Sequence, residues 1–253
     1  MFTTLFLQPL FNLLIGLYNV LPGHDLGLAI IALTFLVKLI LWPFTALQIK
    51  QQRALQAIQP KIEEIRKTYK DNKEEQGRQL MALYAREKVN PASSCLPLLI
   101  QIPIFIGLYR ALSQGLGTID AGLLYPFVQN PGTIQPMFLG FLNLTKASPV
   151  LAIASALVQF LQSRQMMKSM PASVTPPPAE VADKPVAQDE NMAAMMNKQM
   201  MYTMPILTGF IGFSLPAGLT LYWFVMSILS VVQQWWIMRT LPPRITPQLE
   251  KGA

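Results

Sequence analysis

The chain has 253 residues, of which 52 % are hydrophobic and 13 % are charged, whereas soluble domains carry about 25 % charged residues. This deficit and several long apolar runs exclude an ordinary soluble domain and predict an all-α membrane protein. The single cysteine, Cys95, excludes an internal disulfide framework, and the single histidine, His24, excludes histidine-pair zinc motifs. The formal net charge of +7 suits a nucleic-acid partner at first sight, but the distribution of the charges explains it differently.

Residues 1–22 carry no charge. Pro9 suits the first turn of a helix, and four leucines follow at helical spacing: Leu10, Leu13, Leu14 and Leu17. We predict an amphipathic helix that lies on the outer face of the membrane. The alternative is an additional short membrane span. A membrane core is expected to follow over residues 23–238.

Residues 26–47, LGLAIIALTFLVKLILWPFTAL, are long enough to cross a bilayer as a helix and contain one charge, Lys38. Lys38 lies about twelve residues from one end and about nine from the other, too deep for its side chain to reach either surface fully. An ammonium group in hydrocarbon costs at least about 2.5–3.5 kcal/mol. We therefore predict that Lys38 faces a hydrated cavity inside a helix bundle; the alternative is that it snorkels beside a tilted helix. Trp42 and Pro43 predict a kink where the span ends.

Residues 48–94 differ in kind, since ten basic and six acidic residues are interleaved there. A hydrophobic face at spacings of three and four predicts an amphipathic helix: Leu55, Ile58, Ile62, Ile65 and Tyr69. Pro60 predicts a kink or a restart within it. A turn is expected at Asp71 and Asn72, followed by a second helix over 74–88. We predict a cytoplasmic helical hairpin; the alternative is a charged face that only keeps the loop soluble.

Four further apolar runs predict spans over 95–112, 150–162, 199–215 and 219–238. The loop 113–148 is rich in Gly, Pro and Asn and is expected to be exposed, with short interfacial pieces such as 137–142. Residues 164–198 are predicted to form a flexible linker, disordered across about 171–190. Residues 239–253 are predicted to form a short basic cytoplasmic tail.

The basic residues are unevenly distributed. Seventeen of the twenty fall in three segments, with ten in 48–94, four in 164–198 and three in 239–253. Lys146 falls in the loop 113–148, and Lys38 and Arg110 fall within spans. The positive-inside rule therefore places the three basic segments in the cytoplasm. Five spans with the N-terminus outside and the C-terminus inside agree with this count, so the charge needs no nucleic-acid partner to explain it.

Several polar or aromatic side chains are predicted at membrane depth: Thr34, Lys38, Gln101, Gln159 or Gln162, Tyr222 and Trp223. Thr34 and Lys38 share one helix face because they are four residues apart. The sequence shows no catalytic triad, phosphate-binding loop or metal cluster, so we expect neither an enzyme nor a cofactor. The residues predict a positively charged, hydrophilic groove that binds something passing through it. The alternative is a small secondary transporter that uses Lys38 as a substrate or proton site.

Four segments carry a resemblance to a known family: TFLVKLILWPFT, QPKIEEIR, MALYAREKVNPASSCLPLLIQIPIFIGLY and LPAGLTLYWFVMSILSVVQQWWI. Over most of residues 27–238 the chain resembles the YidC/Oxa1/Alb3 membrane protein insertases. The resemblance implies five core spans, a cytoplasmic helical hairpin and an amphipathic helix on the outer face. It also implies a multi-pass protein of the bacterial plasma membrane, an organellar homologue being the alternative. Such a protein receives nascent membrane proteins from the ribosome, alone or beside the Sec translocon, without using nucleotide.

The positions that match the family's groove are Lys38, Thr34, Gln159 (or, as the alternative, Gln162), Tyr222 and Trp223. Lys38 falls where the family usually has arginine, and lysine keeps the charge but loses the bidentate fork. Tyr222 and Trp223 match substrate-contacting aromatic positions, for which interfacial anchoring is the alternative. Gln101 is equally compatible with a hydrogen bond between helices. Compared with the family, we expect the large outer domain to be missing and the long basic tail to be reduced to residues 239–253. Ribosome contact through the tail is therefore expected to be weak, which leaves the helical hairpin as the main expected ribosome contact.

Overall fold

The computed structural model describes residues 3–90, 96–114, 121–168, 203 and 205–240. Within these residues the chain is mostly helical. The helices are α1 Gln8–Val20, α2 Leu26–Ile40, α3 Trp42–Ala57, α4 Gln59–Thr68, α5 Lys73–Arg86, α6 Leu96–Gln114, α7 Pro149–Lys168, α8 205–212 and α9 Ala217–Thr240. A π-helical turn at Thr3–Leu7 precedes α1. Short 3₁₀ turns lie at Pro22–His24 and Ala121–Leu123, and two strands, β1 Met137–Phe138 and β2 Leu142–Asn143, pair antiparallel.

Some of the predictions concern residues outside these described ranges. Cys95, most of the linker 164–198, the first part of the fourth span and the tail beyond Thr240 lie outside the described residues.

The last helix, α9, lies at the centre of the bundle and packs against α2, α3, α6 and α7. The main hydrophobic core is drawn from α1, α2, α6, the start of α9 and the loop that contains the two strands, and its fully buried members include Ile15, Leu26, Ile30, Leu144 and Leu219. Small residues let α8 approach α7 closely, since a Cβ on Gly212 would lie 3.0 Å from the Cβ of Ala152.

By length and composition, two described helices are able to cross a bilayer, Thr3–Val20 and Ala217–Thr240. The pair Leu26–Ile40 and Trp42–Ala57 is a third candidate if it counts as one span with a bend of 60°. The described part of this segment, Thr3–Val20, is therefore helical as predicted, and it also meets the length and composition requirements of the additional span that the sequence left open.

The helix predicted over 26–47 breaks at Leu41, where α2 ends and the chain bends before α3. Pro43 accounts for the bend because it has no N–H to donate to the Leu39 carbonyl, and its ring clashes with that carbonyl. The predicted kink near Trp42 and Pro43 is confirmed. The third predicted span is longer than 150–162, since α7 runs over Pro149–Lys168.

The helical hairpin is confirmed in its helices and its turn. Pro60 lies in the first turn of α4, so the helix restarts there, and the Asn72 side chain caps α5 by accepting from Glu75 N at 3.1 Å. A small separate core joins the two helices: Ile58, Ile62, Leu83 and Val89. Lys61 Nζ also donates to Glu87 Oε1 at 2.7 Å. The hairpin thus has a core of its own, distinct from that of the bundle.

The loop segment predicted as a short interfacial piece over 137–142 is a β-hairpin, β1–β2, that lies across the start of α2. Asp25 holds it in place, since Oδ1 caps α2 by accepting from Leu28 N and Oδ2 accepts from Leu139 N at 2.6 Å. Gly27 allows the β-hairpin to approach α2 closely, because a Cβ at this position would overlap the ring of Phe138.

Gly27→Ala should therefore destabilise the fold by about 1–3 kcal/mol, since an added methyl group overpacks the contact with Phe138. The measurement is thermal unfolding in detergent micelles, followed by tryptophan fluorescence. Gly16→Ala is the matched control: a Cβ at Gly16 meets no atom within 4 Å of the described structure, so this change should be neutral or stabilising by up to about 1 kcal/mol. Equal melting temperatures for the two variants would contradict the role given to Gly27.

Candidate functional site

Lys38 lies inside the bundle, where only 6 % of its surface is exposed. Its Nζ donates a hydrogen bond of 2.9 Å to Ser230 Oγ on α9, and that hydroxyl donates in turn to the Met226 carbonyl at 2.8 Å. Thr34 is fully buried one turn earlier on α2, and its hydroxyl donates to the Ile30 carbonyl at 2.6 Å. The lysine is therefore directed toward the last helix.

In the part of the chain that the structure describes, no ion pair neutralises Lys38. Its partner Ser230 is a neutral hydroxyl, so the contact satisfies one N–H group and leaves the positive charge in place. A buried ammonium without a counter-ion is rare because its desolvation is not offset by a nearby opposite charge.

Gln101 and Tyr222 form a second contact on α9. Gln101 Nε2 donates to the Tyr222 hydroxyl at 2.7 Å, and the tyrosine side chain is buried. The hydrogen bond joins α6 to α9, in agreement with the helix–helix alternative for Gln101. Trp223 is partly exposed and packs edge-on against Phe105 of α6, with 5.6 Å between the ring centres.

The predicted residues are thus brought together in two places rather than one. Tyr222 and Ser230 are eight residues apart on α9, which is about 12 Å along the helix. Gln159 and Gln162 are both half-buried on α7, so the choice between them stays a prediction. Ser155 makes the close contact of this helix with α9, donating to the carbonyls of Leu151 at 2.8 Å and Thr220 at 3.4 Å.

Sequence reasoning missed the polar row on α9 that faces α2 and α3. Besides Ser230, Gln233 is almost fully buried, and its Nε2 donates to Thr45 Oγ1 at 2.6 Å and to the Trp42 carbonyl at 3.4 Å. The signal was present in the sequence, because Ser227, Ser230 and Gln233 recur every third residue in a largely apolar helix. Ser230 and Gln233 contact residues on opposite sides of the bend at Leu41.

A helix bundle that has helices long and apolar enough to cross a bilayer, and that holds a buried lysine against a serine hydroxyl, defines a helical membrane protein. The family model described as 60Kd inner membrane protein matches residues 13–244. The chain belongs to this family, which is the YidC/Oxa1 family that its sequence resembles.

Curated relatives are similar over most of the chain. A protein of Nitratidesulfovibrio vulgaris named "Membrane protein insertase YidC" is 33 % identical over 232 residues, which cover 92 % of this chain and 38 % of that protein. A protein of the same name from Francisella tularensis subsp. novicida is 35 % identical over 213 residues, or 84 % of this chain and 32 % of that protein. The chain therefore spans about a third of the length of these relatives.

Ser230→Ala should reduce the free energy of unfolding by about 1.5–3 kcal/mol, because it removes the hydrogen bond of a buried ammonium group. Thermal unfolding in detergent micelles measures the effect. Ser227→Ala serves as the control, since Ser227 is buried one turn earlier on the same helix, and a smaller loss is expected there. If the two variants unfold at the same temperature, the contact of Ser230 with Lys38 adds nothing to stability beyond what a buried serine at position 227 contributes.

Proposed function

We propose that the chain is a membrane protein insertase and chaperone, which receives nascent chains and eases the entry of their apolar segments into the bilayer. The observation that carries the proposal is the buried Lys38, which contacts Ser230 of α9 and forms no ion pair within the described residues. Membership of the 60Kd inner membrane protein family and the names of the curated relatives support it.

In this mechanism the inward faces of α2, α6, α7 and α9 form a hydrophilic groove. Lys38 attracts acidic residues in the polar tail of a client, while Thr34, Ser230 and Gln159 or Gln162 offer hydrogen-bonding groups at depth. A polar segment that passes such groups has a shorter distance to cross in a medium of low dielectric. Binding and release need no covalent step and no nucleotide.

Aromatic residues supply the other half of the groove. Trp223 is partly exposed beside Phe105, so its ring offers an apolar surface to the client's hydrophobic segment. The hydrogen bond from Gln101 to Tyr222 fixes the position of this aromatic wall on α9 relative to α6. The polar tail and the apolar segment of the client thereby bind at different positions along α9.

The proposed topology has five spans, with the N-terminus outside and the C-terminus in the cytoplasm of a bacterial cell. The helical hairpin over α4 and α5 then lies in the cytoplasm, where its basic surface faces the ribosome. Clients arrive from the ribosome directly or beside the Sec translocon. The uneven distribution of Lys and Arg supports this orientation.

The first test of the proposed function changes the charge at position 38. Lys38→Arg should keep insertion activity, and Lys38→Glu should lose it by more than about tenfold, because attraction and repulsion of unit charges at 4 Å differ by about 2 kcal/mol even in water. The assay is insertion of a small membrane protein with an acidic translocated tail into liposomes that contain the purified chain. A client whose tail lacks the acid is the control and should be far less sensitive. An active Lys38→Glu variant would remove the electrostatic step, and solute flux without insertion would favour a transporter.

The hairpin is the second test. Replacing residues 60–88 by a short Gly–Ser linker should leave the bundle folded, because the main core contains no residue of this segment. Ile58 and Val89, which belong to the same small core, lie near enough for such a linker to join them. We expect an unchanged melting temperature with loss of insertion from ribosome-bound clients. Full activity would show that the hairpin only keeps the loop soluble.

A further inference from the structure

We propose that the β-hairpin tip, defined as Leu139 and Phe141, is a lipid-contacting anchor that dips into the outer leaflet of the bilayer. The outer location rests on the proposed topology; the contact with lipid rests on the geometry of the tip. Leu139 is 58 % exposed and Phe141 is 73 % exposed, whereas Phe138 and Leu142 of the paired strands pack against the main core. The hairpin therefore packs two apolar side chains against the main core and leaves two exposed at its tip.

The backbone at the tip is unusual for the residue that occupies it. The turn closes through Phe141 N, which donates to the Phe138 carbonyl at 3.2 Å. Leu139 has φ +50° and Gly140 has φ +77°, values that favour Asn, Asp or Gly at both positions. A leucine held in the left-handed region is strained, and strain of this kind persists where the side chain has a use.

The tip is held firmly and at a defined depth. Leu139 N donates to Asp25 Oδ2 at 2.6 Å, and Asp25 is the residue that caps the start of α2. The strand after the tip is fixed as well, because Leu144 N donates to the Pro136 carbonyl and Gly218 N donates to the Leu144 carbonyl. Since α2 is the first proposed span, its capped end lies where the helix leaves the hydrocarbon, which is the level of the lipid headgroups.

A polar cavity lies beside the hairpin. Met137 and Gly140 border this cavity of about 680 Å³, whose other walls are mainly hydrogen-bonding side chains from outside the hairpin, among them Tyr18, Asn19, Asp25, Thr133 and Gln135. Leu139 and Phe141 are not part of this lining. A polar cavity beside the hairpin and an apolar tip at headgroup level fit a bilayer surface better than a protein partner.

Depth measurement by spin labelling tests the anchor. Single cysteines replace Leu139, Phe141 or Thr133 in a Cys95→Ser background, carry a nitroxide and are reconstituted as the full chain in phospholipid vesicles. Thr133 is the matched control, because it is exposed in the same loop and lines the polar cavity. We expect the labels at Leu139 and Phe141 to collide more with oxygen and less with a water-soluble nickel chelate than the label at Thr133.

Collision with the nickel chelate as frequent at both tip positions as at Thr133 would overturn the anchor in favour of a water-facing tip. Leu139→Asn adds an independent variant, since asparagine suits the backbone of the turn but removes the apolar side chain. The label at Phe141 should then lie nearer to water, and an unchanged depth would remove Leu139 from the anchor.

A separate experiment tests the proposed topology independently of the anchor. A membrane-impermeant thiol reagent added to intact cells should label Thr133→Cys without permeabilisation. Labelling only after permeabilisation would overturn the outer location, while the depth of Leu139 and Phe141 still decides whether the tip contacts lipid.

Discussion

The structure depends on a polar contact between α2 and α9 in a largely apolar bundle, the hydrogen bond from Lys38 Nζ to Ser230 Oγ. A buried ammonium group needs a hydrogen-bond acceptor, and α9 supplies one three residues before it supplies Gln233 to Thr45. The two contacts lie on either side of the bend at Leu41. The last helix thus holds the two helices that Pro43 bends apart, α2 through Lys38 and α3 through Thr45.

This arrangement links Lys38 to the helical hairpin through a short piece of chain. The helix that carries Lys38 continues through the bend into α3, which leads directly to the helical hairpin. The hairpin has its own core, so it is attached to the bundle mainly through α3 and the segment that returns at Asn90. Asn90 N donates to Gln51 Oε1 at 3.3 Å, which ties the two ends of the hairpin together. A helical hairpin with a core of its own therefore connects to the bundle at the bend.

Local features were predictable from the sequence, and long-range ones were not. Pro60 and Asn72 set the hairpin helices through proline geometry and capping, which act over a few residues. The partners of Gln101 and Lys38 lie 121 and 192 residues away, and no local pattern identifies them. A serine in an apolar helix such as Ser230 is common at helix contacts, so it gave no signal alone. The β-hairpin was missed because its turn places Leu139 at positive φ, against the preference of leucine.

The acceptor geometry also explains why lysine suits this position. Arginine is favoured where two acceptors match its planar fork, as in a carboxylate. Here the acceptor from the described residues is a single neutral hydroxyl, and lysine, a point charge with three rotatable donors, satisfies it with one N–H. Among the described residues, the other two N–H groups have no acceptor, and in the proposed mechanism they would bind a client carboxylate. Ser230 would hold the charge in place without cancelling it, so that an acidic tail could bind transiently and be released.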